Sequence, residues 1–215
     1  RQGRTAASFN PVERLCYLNT RAMGALEFTP TLHPESPDRA LEIDALVDLA
    51  NTVLANRNNL STTLVPDHEE DALADILRVG TSAGGARAKA VVAWNPTTHE
   101  IRSGQVPLPD GFEAWLIKFD GVDGNADKEL ADPLGYGRIE YAYHLMARAA
   151  GITMNDCRLL EEHGRAHFMT RRFDRTPDGG KLHQQTLCAL LNVWMNNGSG
   201  AHLPRQICSR LRQFA

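Results

Sequence analysis

The sequence predicts an α+β fold built around an antiparallel sheet, and three observations carry that prediction. The segment Ala114-Trp115-Leu116-Ile117-Lys118-Phe119 alternates: Trp115, Ile117 and Phe119 take one face, and Ala114, Leu116 and Lys118 the other. Further β-prone stretches at 89–94, 157–160 and 167–173 are separated by turn signals such as Asn95-Pro96-Thr97-Thr98 and His163-Gly164. Helical spacing recurs twice, at Ile43, Leu46, Val47, Ala50, Val53 and Leu54, and at Ile139, Tyr143, Met146 and Ala150.

Taken in order, residues 1–34 hold short apolar runs broken by polar and small residues, Leu15-Cys16-Tyr17-Leu18 and Gly24-Ala25-Leu26-Glu27-Phe28, which predict loops and short strands. Ser36 can cap the first helix, and Pro37 suits its first position, where a missing N–H costs nothing. Asp67 can cap a second, short helix whose first turn is acidic and whose apolar face is Leu73, Ile76 and Leu77. The run Gly80-Thr81-Ser82-Ala83-Gly84-Gly85-Ala86 must be a loop, because three glycines among small residues suit no element interior. The 89–94 strand turns through Asn95 toward Ile101, and the 114–119 strand leads into a polar linker at 120–132. Gly151 closes the helix that follows, in a C′ position. Thr176-Pro177-Asp178-Gly179-Gly180 is a turn, and 182–193 reads as a helix broken by Asn196-Asn197-Gly198-Ser199-Gly200.

The composition narrows the function classes. The 215 residues carry 23 Lys+Arg against 26 Asp+Glu, a net charge of -3, whereas a dedicated nucleic-acid binder usually shows a basic excess. No apolar stretch approaches the roughly 18–20 residues that span a bilayer, so we expect no membrane association and a cytoplasmic protein. Cys16, Cys157, Cys188 and Cys208 form no CxxC pair and suit neither a disulfide framework nor a zinc site, so reduced, buried thiols are expected. His68-Glu69-Glu70 lacks the second histidine of a zinc-protease motif, and no metal site is predicted. The chain opens at Arg1 and stops at Ala215 without a closing motif, and we read it as a fragment.

Two features could carry chemistry. A loop of small residues lets backbone N–H groups approach phosphate oxygens. Here it matches neither the Walker nor the GxGxxG spacing, and such loops also serve purely as connections. Lys118 is the second feature, since an ammonium inside an apolar strand is costly without a partner. It either sits on an edge strand with its head in water or binds phosphate while held by a carboxylate, for which Glu140 on the next helix is suitable. The order of glycine-rich loop, strand, turn, strand with lysine, helix with glutamate and two more strands is that of a kinase-like nucleotide lobe.

The motifs themselves resemble those of the HipA-type serine/threonine kinases, toxins of bacterial toxin–antitoxin modules. The similar segments are Val12-Glu13-Arg14-Leu15-Cys16-Tyr17, Met23-Gly24-Ala25-Leu26-Glu27-Phe28 and Gly80 through Lys89. Trp115-Leu116-Ile117-Lys118-Phe119, Glu140 with its helix, Arg171-Arg172-Phe173-Asp174-Arg175 and Leu182-His183-Gln184-Gln185-Thr186-Leu187-Cys188 continue the likeness over nearly the whole chain. Ala88 stands where many relatives have proline, and the region after Leu191 matches poorly.

The resemblance implies a protein-kinase-like N-lobe with an antiparallel sheet at 79–175, preceded by a small N-terminal subdomain at 1–78. The start of a helical C-lobe would follow at 176–215. It implies ATP bound by Ser82, Ala83, Gly84, Gly85, Lys118 and Glu140, with the backbone near Arg171 and Phe173 as the hinge to adenine. Ser82 is the implied site of inhibitory autophosphorylation, and ATP and Mg²⁺ are the implied cofactors. The implied partners are a HipB-like antitoxin, with DNA met only indirectly through it, and a protein substrate such as an aminoacyl-tRNA synthetase. No Asp-x-His-x-x-Asn sequence occurs before Ala215, so the catalytic aspartate and metal ligands are expected beyond it and the chain alone is expected to be inactive. The competing reading is a non-catalytic HipA-like module that engages an antitoxin or repressor. Without the family, Arg171 through Arg175 would read as a charged strand end with surface salt bridges.

Overall fold

Lys89–Trp94 (β1) lies between two antiparallel neighbours, Ile101–Ser103 (β2) and Glu113–Lys118 (β3), in a computed structural model that describes residues 9–32, 40–55, 87–105, 107–122 and 134–185. Arg165–Arg171 (β5) pairs with the other edge of β3, and Cys157–Glu162 (β4) with the outer edge of β5. The result is a five-stranded sheet of order β2-β1-β3-β5-β4, with every described pairing antiparallel. The expected strands at 89–94, 114–119 and 167–173 are its three central members. Two tight turns set the outer registers. The Asn95 side chain accepts the backbone N–H of Thr97 and Thr98 at 2.9 and 3.0 Å, closing β1 onto β2. His163 (φ 40°) and Gly164 (φ 79°) are both left-handed, as a two-residue hairpin turn between β4 and β5 requires.

The two faces of the sheet differ. On one, Val92, Trp94, Trp115, Ile117 and Met169 meet Leu46, Val47 and Ala50 of helix Ile43–Ala55 (α2) in the apolar core. Trp94 and Trp115 pack edge to face with ring centroids 5.7 Å apart. The alternation read from the sequence holds here: Trp115, Ile117 and Phe119 are buried, and Ala114, Leu116 and Lys118 are only partly so. The second face carries Lys89, Lys118 and Phe168, with helix Tyr136–Ala149 (α3) packed over β5 and β4.

Four expectations need correction. Helix α2 begins at Ile43, after Ala40 has paired with Arg102 and Leu41 has donated to the Ile101 carbonyl. Bonding to β2 therefore keeps 40–42 extended, while Ser36 and Pro37 lie outside the described residues. The N-terminal region holds helix Pro11–Leu18 (α1) in place of loops and strands. Asn10 and Glu13 form a reciprocal capping box, each side chain accepting the other's backbone N–H at 2.9 Å, with Pro11 at the first position.

The third correction concerns α3. Its periodic residues Ile139, Tyr143 and Met146 face solvent, Tyr143 at 67% exposure, while the buried ones are Gly137 and His144. Gly137 decides this, because a Cβ there would lie 1.7 Å from the Ala166 carbonyl oxygen. The side without a Cβ approaches β5 most closely, and the larger apolar groups are left outside. Finally, Leu182 to Gln185 are not helical, the Leu182 N–H being drawn to the Asp174 carbonyl. The rest of 182–193, and the expected helix at 67–77, lie outside the described residues. No helix among the described residues is long and apolar enough to cross a membrane.

Candidate functional site

Lys118 is the last residue of β3 and lies on the partly covered face of the sheet. Its Nζ donates to Glu140 Oε2 at 2.5 Å, from the strand to the second turn of α3. The Phe168 ring, opposite Lys118 in the β3–β5 register, lies 5.7 Å from the same Nζ. A lysine in an apolar strand thus has the carboxylate it requires, with both side chains about a quarter to a third exposed.

The same register brings in a residue that sequence reasoning missed. Lys89 is directly opposite Lys118 on β1 and is buried. Burial, then the neighbouring Lys118 charge, pushes the Lys89 ammonium below its ordinary value, while Glu140 pulls it back up. The sheet therefore sets two lysines side by side with Glu140 acting on both. Strand alternation could have found Lys89 as a face-mate of Lys118, but only once the register between the strands was known.

Ser82, Ala83, Gly84 and Gly85 lie outside the described residues. The chain re-enters at Arg87, whose guanidinium carbon stands 3.4 Å from the centre of the Tyr136 ring at the start of α3. The segment leading from the glycine-rich loop into β1 thus runs against the helix that carries Glu140.

Arg171 ends β5 opposite Trp115, three register positions from Lys118, or about 10 Å along the sheet. Its N–H donates to the Asp156 carbonyl and its guanidinium pairs with Glu113 at 3.2 Å. The Phe173 side chain is 66% exposed. Arg172 and Asp174 are buried, which corrects the picture of a surface-bridged strand end. Arg172 Nε and Nη2 donate to the two Asp174 oxygens at 2.9 and 2.7 Å, and Arg175 Nη1 adds a contact at 2.9 Å. Arg172 Nη2 also donates to the Met23 carbonyl at 2.7 Å, while Lys181 Nζ reaches the Thr20 carbonyl and Glu27 at 2.8 and 2.6 Å. The turn after β5 thereby ties down the N-terminal segment.

Among the described residues one group could hold a metal: Asp44, Glu162 and His163. It sits at the β4–β5 turn, where Arg165 pairs with Asp44 at 2.9 Å and His167 contacts Glu162 at 2.9 Å. These partners make it an ion-pair cluster between α2 and the hairpin. Cys16 and Cys157 are free thiols; Cys188 and Cys208 are not among the described residues.

Together these features define an α+β protein whose antiparallel sheet presents a lysine from a central strand to a glutamate on a packed helix. A family model, the HipA-like C-terminal domain, matches residues 81–214, and the chain belongs to that family. The match takes in residues 81–86 of the glycine-rich segment, Lys118, Glu140 and residues 171–175 together. No curated protein and no solved structure matches the chain.

Proposed function

We propose that this chain carries the nucleotide-binding part of a HipA-type serine/threonine kinase of a toxin–antitoxin module. The observation that carries the reading is the Lys118–Glu140 pair, joining a central strand to the helix packed over β5 and β4. In such a lobe the glutamate holds the lysine where it meets the α- and β-phosphates. Lys89, opposite Lys118 and also under the influence of Glu140, places a second lysine beside the pair. The roughly 10 Å between Lys118 and the end of β5 lets one nucleotide reach from the lysine to the backbone near Arg171 and Phe173. Ser82, Ala83, Gly84 and Gly85 would cover the phosphates, and ATP would supply the γ-phosphoryl group.

In this reading residues 79–175 are the kinase-like lobe, 1–78 an N-terminal subdomain and 176–215 the start of a helical lobe. Neither Asp174 nor the Asp44 cluster fits a nucleotide-bound Mg²⁺. Asp174 is engaged by Arg172 and Arg175, and the Asp44 cluster belongs to the α2 side of the sheet. No step is therefore assigned to a metal here. Ser82 is the proposed site of inhibitory autophosphorylation, a protein serine on a translation factor the proposed substrate, and a HipB-like antitoxin the proposed partner. One observation favours the non-catalytic alternative: the exposed apolar side of α3 at Ile139, Tyr143 and Met146 suits a protein contact.

Calorimetric titration of the chain with ATP tests the reading. The wild type should bind, and Lys118→Met should weaken binding at least tenfold with an unchanged circular-dichroism spectrum. Equal binding by both proteins, or none by the wild type, would reject the nucleotide site. A chain extended to include a catalytic loop should incorporate phosphate from labelled ATP at Ser82, and its Ser82→Ala form should not.

A further inference from the structure

Two residues after Lys118 the chain carries an aspartate that is almost fully buried, and its contacts reach the helix that bears Glu140. Asp120 lies in the sequence where a polar linker begins, yet it is only 2% exposed. Its carboxylate accepts the Gly135 N–H at 2.9 and 3.1 Å through the two oxygens, and the Ala166 N–H at 3.1 Å. Gly135 is the residue before α3, and Ala166 is the β5 residue against which Gly137 is packed. One carboxylate thus holds the start of the helix and the strand beneath it. A negative charge beside the first turn also favours the helix through its dipole. The Asp120 backbone is fixed in turn, its N–H donating to His167 Nδ1 at 3.0 Å while His167 Nε2 meets Glu162 at 2.9 Å.

We propose that Asp120 is a positioning residue for the nucleotide site, acting through α3 to set Glu140 against Lys118. Asp120 lies two residues after Lys118, so its hydrogen bonds to Gly135 and Ala166 tie the start of α3 and the strand beneath it to the end of β3. Glu140 sits five residues after Gly135, about one and a half turns into the helix, so a tilt at that end is carried straight to its carboxylate. With Asp120 in place the helix end has one seat. Without it the Gly135 and Ala166 N–H groups lose their common acceptor, and the start of α3 keeps the Tyr136 contact with Arg87 and the Gly137 contact with Ala166 but no polar tie to the end of β3. The proposal rests on the nucleotide reading for its consequence, but the arrangement can be observed without nucleotide.

The test uses the full chain with ¹³C-labelled lysine, the Lys118 resonance being assigned by its loss in Lys118→Arg. In nucleotide-free protein, Asp120→Asn should move this resonance toward its position in Glu140→Gln. ATP affinity should fall about tenfold in Asp120→Asn and fall no further when Asp120→Asn is added to Glu140→Gln, since both act on one pair. A merely structural loss would instead add to that of Glu140→Gln and leave the Lys118 resonance in place, and either result overturns the proposal. Should Asp120→Asn fail to fold, Gly135→Ala decides in its place. A methyl group there meets nothing within 4 Å but strains a φ of 107°, and it should shift the Lys118 resonance in the same direction; no shift overturns the proposal. Absence of ATP binding in the wild type would reject the nucleotide reading, and the resonance comparison would still judge Asp120.

Discussion

Burial by itself would raise the Asp174 carboxyl, but the hydrogen bonds and charge of Arg172, together with the charge of Arg175, outweigh it and hold the group below its ordinary range. The carboxylate is thus the hub of a buried ionic cluster whose guanidiniums also reach the Met23 carbonyl. Removing one member of such a cluster is costly, because the remaining charges stay desolvated. Asp174→Asn should destabilise the chain by about 3–5 kcal/mol in urea denaturation. A loss below about 1 kcal/mol, the scale of an exposed pair, would mean that water reaches the cluster. The sequence shows the charges of Arg171 through Arg175 plainly, and their alternation suggests a solvated edge. It cannot show that a carbonyl 149 residues earlier in the chain closes over Arg172. Lys89 was hidden for the same reason, since the partner that gives it meaning, Lys118, lies across a register rather than along the chain.

Elements were legible wherever local chemistry decided them. The lysine strand, the turn at Asn95, the left-handed residues His163 and Gly164 and the stop at Gly151 (φ 81°) all follow from period or turn chemistry. Helix α1 was missed, because its short apolar runs suggest strands and outweighed the capping signal of Asn10, Pro11 and Glu13. The orientation of α3 was not legible either, because hydrophobic periodicity points to the face with the most apolar atoms, whereas contact with β5 was decided by a residue with none. That difference makes a prediction about sign. Glycine to alanine inside an exposed helix ordinarily gains about 1 kcal/mol. At Gly137 the added methyl would meet the Ala166 carbonyl at 1.7 Å, so Gly137→Ala should cost about 1–3 kcal/mol, as overpacking does. It should also lift α3 and, if the proposed nucleotide site is right, weaken ATP binding. Stabilisation in a thermal melt would mean that α3 does not lie on β5 as described.

At the scale of the molecule, the two sides of the sheet are joined through His167, and this gives the whole fold a pH dependence of definite sign. The ring is fully buried and packs edge to face against Phe119, with centroids 5.9 Å apart. The Asp120 N–H donates to Nδ1, so that nitrogen carries no proton, and Nε2–H is left to donate to Glu162. Protonation would break the first of these bonds and place a cation in the core. Burial accordingly pushes His167 below its ordinary value of 6.5. Glu162 and Asp120 pull it upward and Arg165 adds to the depression, but desolvation prevails. Between the folded and unfolded pKa values the unfolded chain binds more protons, so stability rises with pH across that window. The contribution is complete above pH 6.5 and is lost as pH falls through the folded value. Urea midpoints measured from pH 7.5 to 5 should therefore decline below about 6.5. His167→Gln, which cannot titrate, should be less stable at pH 7.5 and should flatten that decline. Asp174 adds a second loss at lower pH, because its depressed carboxyl stabilises the fold above about 3.9 and ceases to as pH falls through its folded value. An unchanged midpoint between pH 7.5 and 5 in the wild type would show that the ring is already solvated. His167 would then not be the buried link that fixes Asp120, and through it α3, to the hairpin.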